Sequence, residues 1–208
     1  MWRPRARARS RAATSSSTRT EAWLRAVVAT PGLTAIGDLE EARRVLLDDS
    51  LRGLELVRRY GGPIVDVGSG GGAPGIPLAL ALPERAVTLL EANGRKCDFL
   101  RVHAPSNAAV VRGRAEEQEL DCFGVAVAKA LAQPPAAAEW TLPLVAPGGA
   151  AILWVGPSAE PERVDRVARR LAAELVESPP GFLILEKRGP TPAGFPRRPG
   201  VARKRPLA

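Results

Sequence analysis

Short apolar segments alternate with helical patterns from residue 63 to residue 188, and this alternation constrains the fold more than any other feature of the sequence. Strands that are joined by helices pair in parallel, and their sheet is buried on both faces. The sequence therefore predicts an α/β fold, with a mostly parallel sheet that has helices on both faces. Six segments are predicted strands: 63–67, 86–92, 107–113, 121–130, 148–156 and 181–188. Helices are predicted between them at 75–82, 94–104, 135–145 and 160–178.

Two further helices are predicted before the sheet. The first runs from an N-cap at Thr20 to a stop at Pro31–Gly32, and the second runs from Asp38 to Gly61–Gly62. Residues 1–19 contain too few apolar side chains to pack, so we expect a disordered basic arm there. The predicted domains are this arm at 1–19, a helical segment at 20–62, the sheet domain at 63–188 and a basic C-terminal tail at 189–208.

Positive charge is concentrated at the two ends of the chain. Of the 30 lysines and arginines, six arginines lie in residues 1–20 and seven basic residues lie in 187–208, whereas all 22 acidic residues lie between these ends. Basic ends on an acidic domain favour a polyanionic partner, and nucleic acid is the commonest. Two alternatives stay open for residues 1–20, a solvated tail without a partner and a transit peptide rich in arginine and serine.

Cysteine and histidine are scarce, which limits the chemistry available to the chain. Cys97 and Cys122 lack metal-binding spacing, and His103 is the single histidine. We expect reduced thiols in a cytoplasmic protein and no metal site, because the acidic run at 116–119 has no second group of ligands beside it. No apolar stretch reaches the roughly 18 residues that a membrane-spanning helix requires, so we expect no membrane partner.

A glycine-rich loop follows the first predicted strand, in the sequence VDVGSGGGAPG (65–75). In doubly wound sheets, ligands bind beyond the carboxyl end of this strand. The loop matches the dinucleotide pattern G-x-G-x-x-G at Gly70, Gly72 and Gly75. Glu91 also has the spacing of an acid that binds ribose. Against this reading, Asp66 would repel a pyrophosphate, and Pro74 removes a backbone donor that an anion would use.

The same loop matches a second pattern, acid-x-Gly-x-Gly-x-Gly, at Asp66, Gly68, Gly70 and Gly72. This pattern suits S-adenosylmethionine, which carries an ammonium and a sulfonium group but no phosphate. Asp66 would then lie near the ammonium group, and Glu91 would accept hydrogen bonds from both ribose hydroxyls. We favour this cofactor over a dinucleotide. A loop that only makes a tight turn is the remaining alternative.

Several segments together resemble one family, the GidB/RsmG methyltransferases of the guanine N7 position in 16S ribosomal RNA. They are IVDVGSGGGAPGIPLAL, VTLLEANGRKCDFL, RGRAEE, WTLPLVAPGG and the tail TPAGFPRRPGVARKRPL. The resemblance covers roughly residues 20–207 and implies a Rossmann-like class I fold with a short helical N-terminal extension. It implies S-adenosylmethionine as cofactor and 16S ribosomal RNA, or the small ribosomal subunit, as partner. We expect a monomer.

The resemblance also assigns residues to the cofactor. It implies that Gly68 and Ala73 line the cofactor, that Ala115 and Glu116 lie beside its adenine, and that Glu91 replaces the family's aspartate. Lys129 stands where the family usually has arginine. The sequence departs from the family pattern at three positions that shape the RNA side of the site, Gly32, Leu46 and Val155. These departures leave open a catalytically weak relative, or a methyltransferase that acts on a small molecule or a protein.

Methylation of guanine N7 needs no general base, because N7 carries a free lone pair and no proton. The enzyme has to align that lone pair with the S–CH₃ bond, so a scarcity of histidine is no objection. The target guanine has to be unstacked, and basic side chains then bind phosphate. The candidates for RNA binding are Arg114, Lys129, Arg197, Arg198 and Lys204. Arg114 has an alternative role, an ion pair with Glu116 or Glu117.

Overall fold

A seven-stranded sheet forms the centre of the fold. The computed structural model describes the backbone of residues 7–207 and the side chains of residues 18–207. The strands are β1 (Ile64–Val67), β2 (Val87–Glu91), β3 (Ala108–Arg112), β4 (Phe123–Lys129), β5 (Val145–Trp154), β6 (Ala173–Glu177) and β7 (Phe182–Lys187). Their order across the sheet is β3-β2-β1-β4-β5-β7-β6, and only the pairs that involve β7 are antiparallel. The predicted, mostly parallel sheet is confirmed.

Helices precede the sheet and cover it. They are α1 (Arg7–Ala29), α2 (Leu39–Ala42), α3 (Asp49–Arg52), α4 (Leu54–Arg58), α5 (Gly75–Ala81), α6 (Gly94–His103), α7 (Pro134–Thr141), α8 (Pro161–Arg170) and α9 (Val201–Lys204). A π-helical segment, Arg43–Asp48, joins α2 to α3, and two 3-10 turns lie at Ala115–Glu117 and Leu142–Leu144. No helix in the described range 7–207 is long and apolar enough to cross a bilayer.

Alternation along the strands divides the core between the two faces of the sheet. Successive side chains on a strand point to opposite faces, so Ile64 joins one buried cluster while Val65 joins the other. The first cluster includes Trp23 and Leu24 from α1, and the second includes Val164 and Val167 from α8. Helices therefore pack on both faces, as the alternation of segments predicts.

The N-terminal helices differ from the prediction in their bounds. The first helix begins at Arg7 rather than at Thr20, because the run between them contains helix-forming arginine and alanine and neither proline nor glycine. Residues 7–19 of the arm expected to be disordered are thus helical, and residues 1–6 lie outside the described residues. The Asp38 cap is confirmed, since its Oδ2 accepts a 2.7 Å hydrogen bond from the Glu41 amide. The second predicted helix is divided into segments and ends at Arg58.

Strand β6 was wrongly predicted as the end of a helix at 160–178. The helix α8 ends at Arg170, and Ala172 adopts a left-handed conformation with φ 54° that turns the chain. The next residues then pair antiparallel with β7, where Leu175 lies opposite Leu185. Pairing with a neighbouring strand outweighs the helical pattern of a short segment, as is common for context-dependent strands.

The C-terminal tail folds against the domain. Lys187 at the end of β7 is 1 % exposed, and its Nζ donates hydrogen bonds to Leu142 O at 2.9 Å and to Thr191 Oγ1 at 2.8 Å. Asp121 pairs with Lys187 Nζ at 3.3 Å and also accepts hydrogen bonds from the Thr191 amide and hydroxyl. These contacts satisfy the buried ammonium group and fix the start of the tail.

Candidate cofactor cavity

The glycine loop between β1 and α5 has a backbone that favours glycine. Gly68, Gly70 and Gly72 have φ values of 72°, 56° and 105°, which place them in the left-handed region. A side chain on Gly68 would also collide with the side chain of Leu131. At Gly70, by contrast, an added Cβ would meet only the loop's own Gly68 O at 3.8 Å, so the backbone there is open to a ligand.

Five backbone amides of this loop, those of Gly68, Ser69, Gly70, Gly72 and Gly75, donate to acceptors within the protein. Gly68 and Ser69 both donate to Leu90 O, at 2.8 and 3.1 Å, and Gly70 donates to Glu91 Oε2 at 2.9 Å. The Gly72 amide bonds Ser69 O at 2.7 Å, the Gly75 amide bonds Asp66 Oδ2 at 3.0 Å, and Pro74 has no amide hydrogen. Since a pyrophosphate is bound through free amides at such a turn, this arrangement is unfavourable for a dinucleotide.

Asp66 stabilises the loop through a buried hydrogen bond and does not line either of the two cavities that flank the loop. Its side chain is 1 % exposed, Oδ2 accepts from the Gly75 amide, and Oδ1 has no hydrogen-bond partner among the described residues. Burial raises the pKa of Asp66 to about 7, as expected for a carboxyl group removed from water. The expected direct contact between Asp66 and the ammonium group of the cofactor was wrong. The buried acid instead satisfies an unpaired amide at the start of α5.

A cavity of about 290 Å³ lies on one side of the loop, at the carboxyl ends of β1 and β2. Glu91 enters it from the end of β2 and is 9 % exposed. Its two oxygens accept hydrogen bonds from the Gly70 and Asn93 amides, at 2.9 and 2.7 Å, and these bonds fix the carboxylate. Each oxygen keeps a second lone pair, so both remain able to accept from ligand hydroxyls. The predicted residues that line this cavity are Gly68, Glu91, Arg114, Ala115 and Glu116.

A second cavity of about 210 Å³ lies between the loop and the N-terminal helices. It shares Gly68, Lys96 and Ala130 with the first cavity. The predicted residues that line it are Gly68, Gly70, Ala73 and Lys129. Gly72 lines neither cavity, because it packs against Ile76 and Trp23. The structure thus places most of the predicted cofactor residues around two adjoining spaces.

Lys129 is paired within the protein. It ends β4, its Nζ donates to Val45 O at 2.6 Å, and it lies 3.2 Å from Asp49 Oδ2. The side chain is 13 % exposed, and its contact with Asp49 joins the sheet to the helical segment that precedes it in sequence. Asp49 thus partly neutralises the charge of Lys129, and the roles of Lys129 toward the cofactor and toward RNA phosphate stay predictions.

Among the predicted phosphate ligands in the tail, Arg197 also forms an ion pair within the protein. Its Nε and Nη2 contact the two carboxylate oxygens of Glu139 at 2.5 and 2.6 Å, and Glu139 is 2 % exposed. A buried carboxylate requires such a bidentate partner, so Arg197 is corrected from an RNA ligand to an anchor of the tail. Arg114, Arg198 and Lys204 are exposed, and their side chains form no ion pair with any residue in the range 18–207.

Several residues that line the cavities were missed by sequence reasoning, and Trp23, Lys96 and Arg203 are among them. Trp23 lines the second cavity, and its Nε1 donates to Gly71 O at 2.8 Å. Lys96 lines both cavities, and Arg203 from α9 lines the first. Lys96 lies in the first turn of α6, just after the cap Asn93, and this cap could have indicated from the sequence that Lys96 lies near the site. Nothing in the sequence indicates that Trp23 or Arg203 reaches the site, since each comes from an end of the chain that lies far from the loop in sequence.

The three departures from the family pattern lie in different places. Leu46 lines the second cavity, and Val155 lines a separate cavity of about 200 Å³ beyond β4 and β5. Gly32 turns the chain after α1 with φ 82°. No group of three or more histidine, cysteine, aspartate or glutamate residues that could hold a metal occurs in the described part of the chain.

The sheet order, the glycine loop after β1 and the acid at the end of β2 define the class of protein, a class I methyltransferase. The fold is similar to that of the 16S rRNA N2 G1207 methyltransferase RsmC from T. thermophilus, solved in complex with AdoMet and guanosine. That likeness has a TM-score of 0.50 at 19 % identity, and it covers 68 % of this chain and 40 % of the other.

Sequence comparison gives the particular family. The family model of GidB, described as rRNA small subunit methyltransferase G, matches residues 22–178. The ribosomal RNA small subunit methyltransferase G of Synechococcus elongatus is 36 % identical over 198 residues, which cover 84 % of this chain and 82 % of the relative. The corresponding protein of Rubrobacter xylanophilus is 38 % identical over 175 residues, which cover 72 % and 66 %. The chain belongs to the GidB family.

Proposed function

We propose that this protein transfers a methyl group from S-adenosylmethionine to N7 of a guanine in 16S ribosomal RNA. Membership of the GidB family supports the substrate, and the relatives that match carry the name ribosomal RNA small subunit methyltransferase G. The observation that carries the proposal is the pairing of Glu91 with a loop in which five backbone amides are already bonded within the protein. Such a site accepts hydroxyl donors and offers little to a pyrophosphate.

The residues present fit this cofactor. Gly70 leaves bare backbone open to a ligand, and Glu91 keeps lone pairs for the two ribose hydroxyls. Ala115 and Glu116 extend the same cavity toward a place for the adenine. When bound, S-adenosylmethionine supplies an electrophilic methyl group on its sulfonium. The loop and Ala73 are assigned to its methionine end, on the side of the second cavity.

The protein's own task is to hold the acceptor in line and to exclude water. Guanine N7 has a lone pair and no proton, so none of the residues at the site has to remove one. We assign the target base to the second cavity, because it adjoins the first at Gly68 and has apolar walls from Val27, Leu33 and Leu46. Lys96 and Arg114 at the rim then contact phosphate, together with Arg198 and Lys204 on the tail.

The partner that this function requires is 16S ribosomal RNA or the assembled small subunit, and we propose that the protein acts on it as a cytoplasmic monomer. Positive charge at both ends of the chain supports a polyanionic partner. Three of these four cations are exposed, and the four are spread over α6, the loop before Ala115–Glu117 and the tail. An extended RNA surface is therefore a better match for them than a small acceptor molecule.

Transfer of labelled methyl groups tests the proposal directly. The purified protein and methyl-labelled S-adenosylmethionine are incubated with naked 16S RNA and, separately, with small subunits that lack the modification. We expect transfer to at least one of these substrates and an about tenfold or greater loss in E91A, because one charged hydrogen-bond acceptor is worth about 1.5–3 kcal/mol. The control variant is E84A, since Glu84 is exposed at the opposite edge of the sheet.

The outcomes separate the remaining alternatives. A wild-type protein that binds S-adenosylhomocysteine but labels neither naked 16S RNA nor small subunits would contradict the proposal. It would favour a family member without catalytic activity, an alternative that the departures at Gly32, Leu46 and Val155 leave open. Transfer to a protein or small molecule but not to RNA would also contradict it. Equal activity in E91A and wild type would remove Glu91 from the site.

A further inference from the structure

The C-terminal tail reaches the first cavity, where the adenine end of the cofactor is assigned. The Gly200 amide donates a 3.1 Å hydrogen bond to Glu116 Oε1. Gly200 has φ 81° and directly precedes α9, which carries Arg203. Arg203 lines the cavity of about 290 Å³ together with Glu91, Ala115 and Trp140. One wall of this cavity is therefore built from a segment that lies about 90 to 110 residues further along the chain than Glu91 and Ala115.

Three separate attachments hold the tail in this position. Thr191 bonds Asp121 at its start, the bidentate pair Arg197–Glu139 holds its middle to α7, and Gly200–Glu116 holds α9 to the 3-10 turn. The Arg197 Nη2 also donates to Arg205 O at 2.8 Å, which joins the middle of the tail to the end of α9. Ala202 on α9 is only 3 % exposed. The wall is thus fixed by contacts within the protein.

We propose that the folded tail is a part of the cofactor site, in which α9 presents Arg203 to the adenosyl end of the cofactor as a positioning residue. This inference rests on the cofactor of the proposed function but not on its RNA substrate. The inference gives the tail a role in cofactor binding, whereas the distribution of charge along the sequence predicts only RNA binding for it.

The chemistry of the guanidinium group supports this assignment. A guanidinium is planar and weakly hydrated, and it stacks on aromatic faces or donates to ring nitrogens more readily than an ammonium group does. Arg203 forms no ion pair with any residue in the range 18–207, although Glu91 and Glu116 line the same cavity. Its charge is thus available to a ligand. Arg198 on the same tail is exposed and does not line this cavity, so it provides a matched control.

Coupling between the tail and the cofactor is reciprocal by thermodynamic linkage. If ordered α9 strengthens cofactor binding, then bound cofactor has to stabilise ordered α9 by the same factor. The peptide bond after Lys204 gives a readout of that order, because Lys204 is exposed at the end of α9 and trypsin cleaves after lysine. This readout does not depend on catalysis or on RNA.

The experiment measures binding of S-adenosylhomocysteine by calorimetry, with no RNA present, for wild type, R203A, R203K and R198A. We expect an about tenfold weaker affinity in R203A, a smaller loss in R203K, and an affinity within about twofold of wild type in R198A. Circular dichroism confirms that each variant is folded, and R203K serves if R203A is not. Trypsin cleavage after Lys204 is then followed with and without ligand. Ligand should slow it in wild type and R198A but not in R203A.

Two results would overturn the inference. One is an R203A variant that binds S-adenosylhomocysteine as tightly as wild type does, and the other is cleavage after Lys204 that ligand does not slow. A wild-type protein that binds the ligand but methylates no RNA would leave this inference in place and remove only the proposed substrate. A wild-type protein that does not bind the ligand would remove both the cofactor and this inference.

Discussion

At the scale of single residues, Asp66 shows that a residue of a ligand-binding motif can stabilise the loop of that motif through a buried hydrogen bond. The pattern acid-x-Gly-x-Gly-x-Gly places an acid at the loop, and the structure uses that acid to accept the Gly75 amide from below. Its other oxygen is buried without a partner, which fits a carboxyl group whose pKa is raised to about 7 by burial. The protonated form is uncharged, so it avoids much of the cost of a buried charge.

This raised pKa predicts a specific dependence of stability on pH. The folded state holds the Asp66 proton up to about pH 7, whereas the unfolded chain releases it near its ordinary pKa of 3.8. The contribution of Asp66 to the free energy of unfolding therefore falls as pH rises from about 4 to about 7, by at most about 4 kcal/mol. Urea unfolding across this range measures it.

The variant D66N should lose this part of the pH dependence, because asparagine does not titrate and its side-chain oxygen can still accept the Gly75 amide. D48N is the matched control, since Asp48 is exposed. A D66N protein whose unfolding free energy changes with pH as steeply as that of wild type and D48N would contradict the raised pKa.

Sequence reasoning anticipated the residues that line the two cavities better than it anticipated which cations are free of partners within the protein, and there is a physical reason for this difference. Gly68, Gly70 and Glu91 depend on local backbone geometry at a strand end, which a short pattern records. Arg197 and Lys129 carry charges whose partners, Glu139 and Asp49, lie far away in sequence. The sequence alone does not show whether the charge of a lysine or an arginine is already neutralised by a partner in the folded protein.

At the scale of elements, the alternation of strands and helices followed from the sequence except at β6, which was predicted as part of a helix, and the bounds of the two N-terminal helices also differed. The alternation from β1 to β5 was predictable because each strand is a short apolar run between turn residues. Strand β6 was hidden inside a helical pattern, since the turn at Ala172 uses a left-handed conformation that alanine rarely adopts. The early start of α1 and the division of the second helix were likewise not visible in hydrophobic spacing.

The anchor between the tail and α7 predicts a large loss of stability when it is broken on one side. R197M leaves the carboxylate of Glu139 buried at 2 % exposure without its bidentate partner. Removal of one member of a buried pair costs about 3–5 kcal/mol, so we expect about 3 kcal/mol for the partly exposed Arg197. Urea unfolding measures the change.

Two further variants make this prediction specific to the pair. E139L/R197M replaces both charges by apolar side chains and should recover most of the loss, because no buried charge is left unpaired. R198M should stay within about 0.5 kcal/mol of wild type, since Arg198 is exposed. An R197M protein as stable as wild type, or a double variant no more stable than R197M, would show that the anchor does not hold the tail.

At the scale of the whole molecule, segments from both ends of the chain meet at the carboxyl edge of the sheet. Helix α1 contacts the glycine loop through Trp23 and Gly71, and α9 contacts the 3-10 turn through Gly200 and Glu116. Helix α1 and the tail thus both lie beside the place where the cofactor is assigned. Among the described residues, the cations that line the two cavities are Lys96, Arg114, Lys129 and Arg203.

The central claim is that this edge of the sheet directs a methyl group to guanine N7 of 16S ribosomal RNA, and mapping of the modified atom tests it most directly. Small subunits that lack the modification are labelled with the protein and S-adenosylmethionine, and the RNA is then treated with borohydride and aniline, which cleave the chain at N7-methylguanosine. The account predicts scission at a labelled guanosine, and at least about tenfold less of it after incubation with E91A for the same time. Label in a nucleotide that resists this scission, such as a 2′-O-methylated one, or the absence of label, would contradict it.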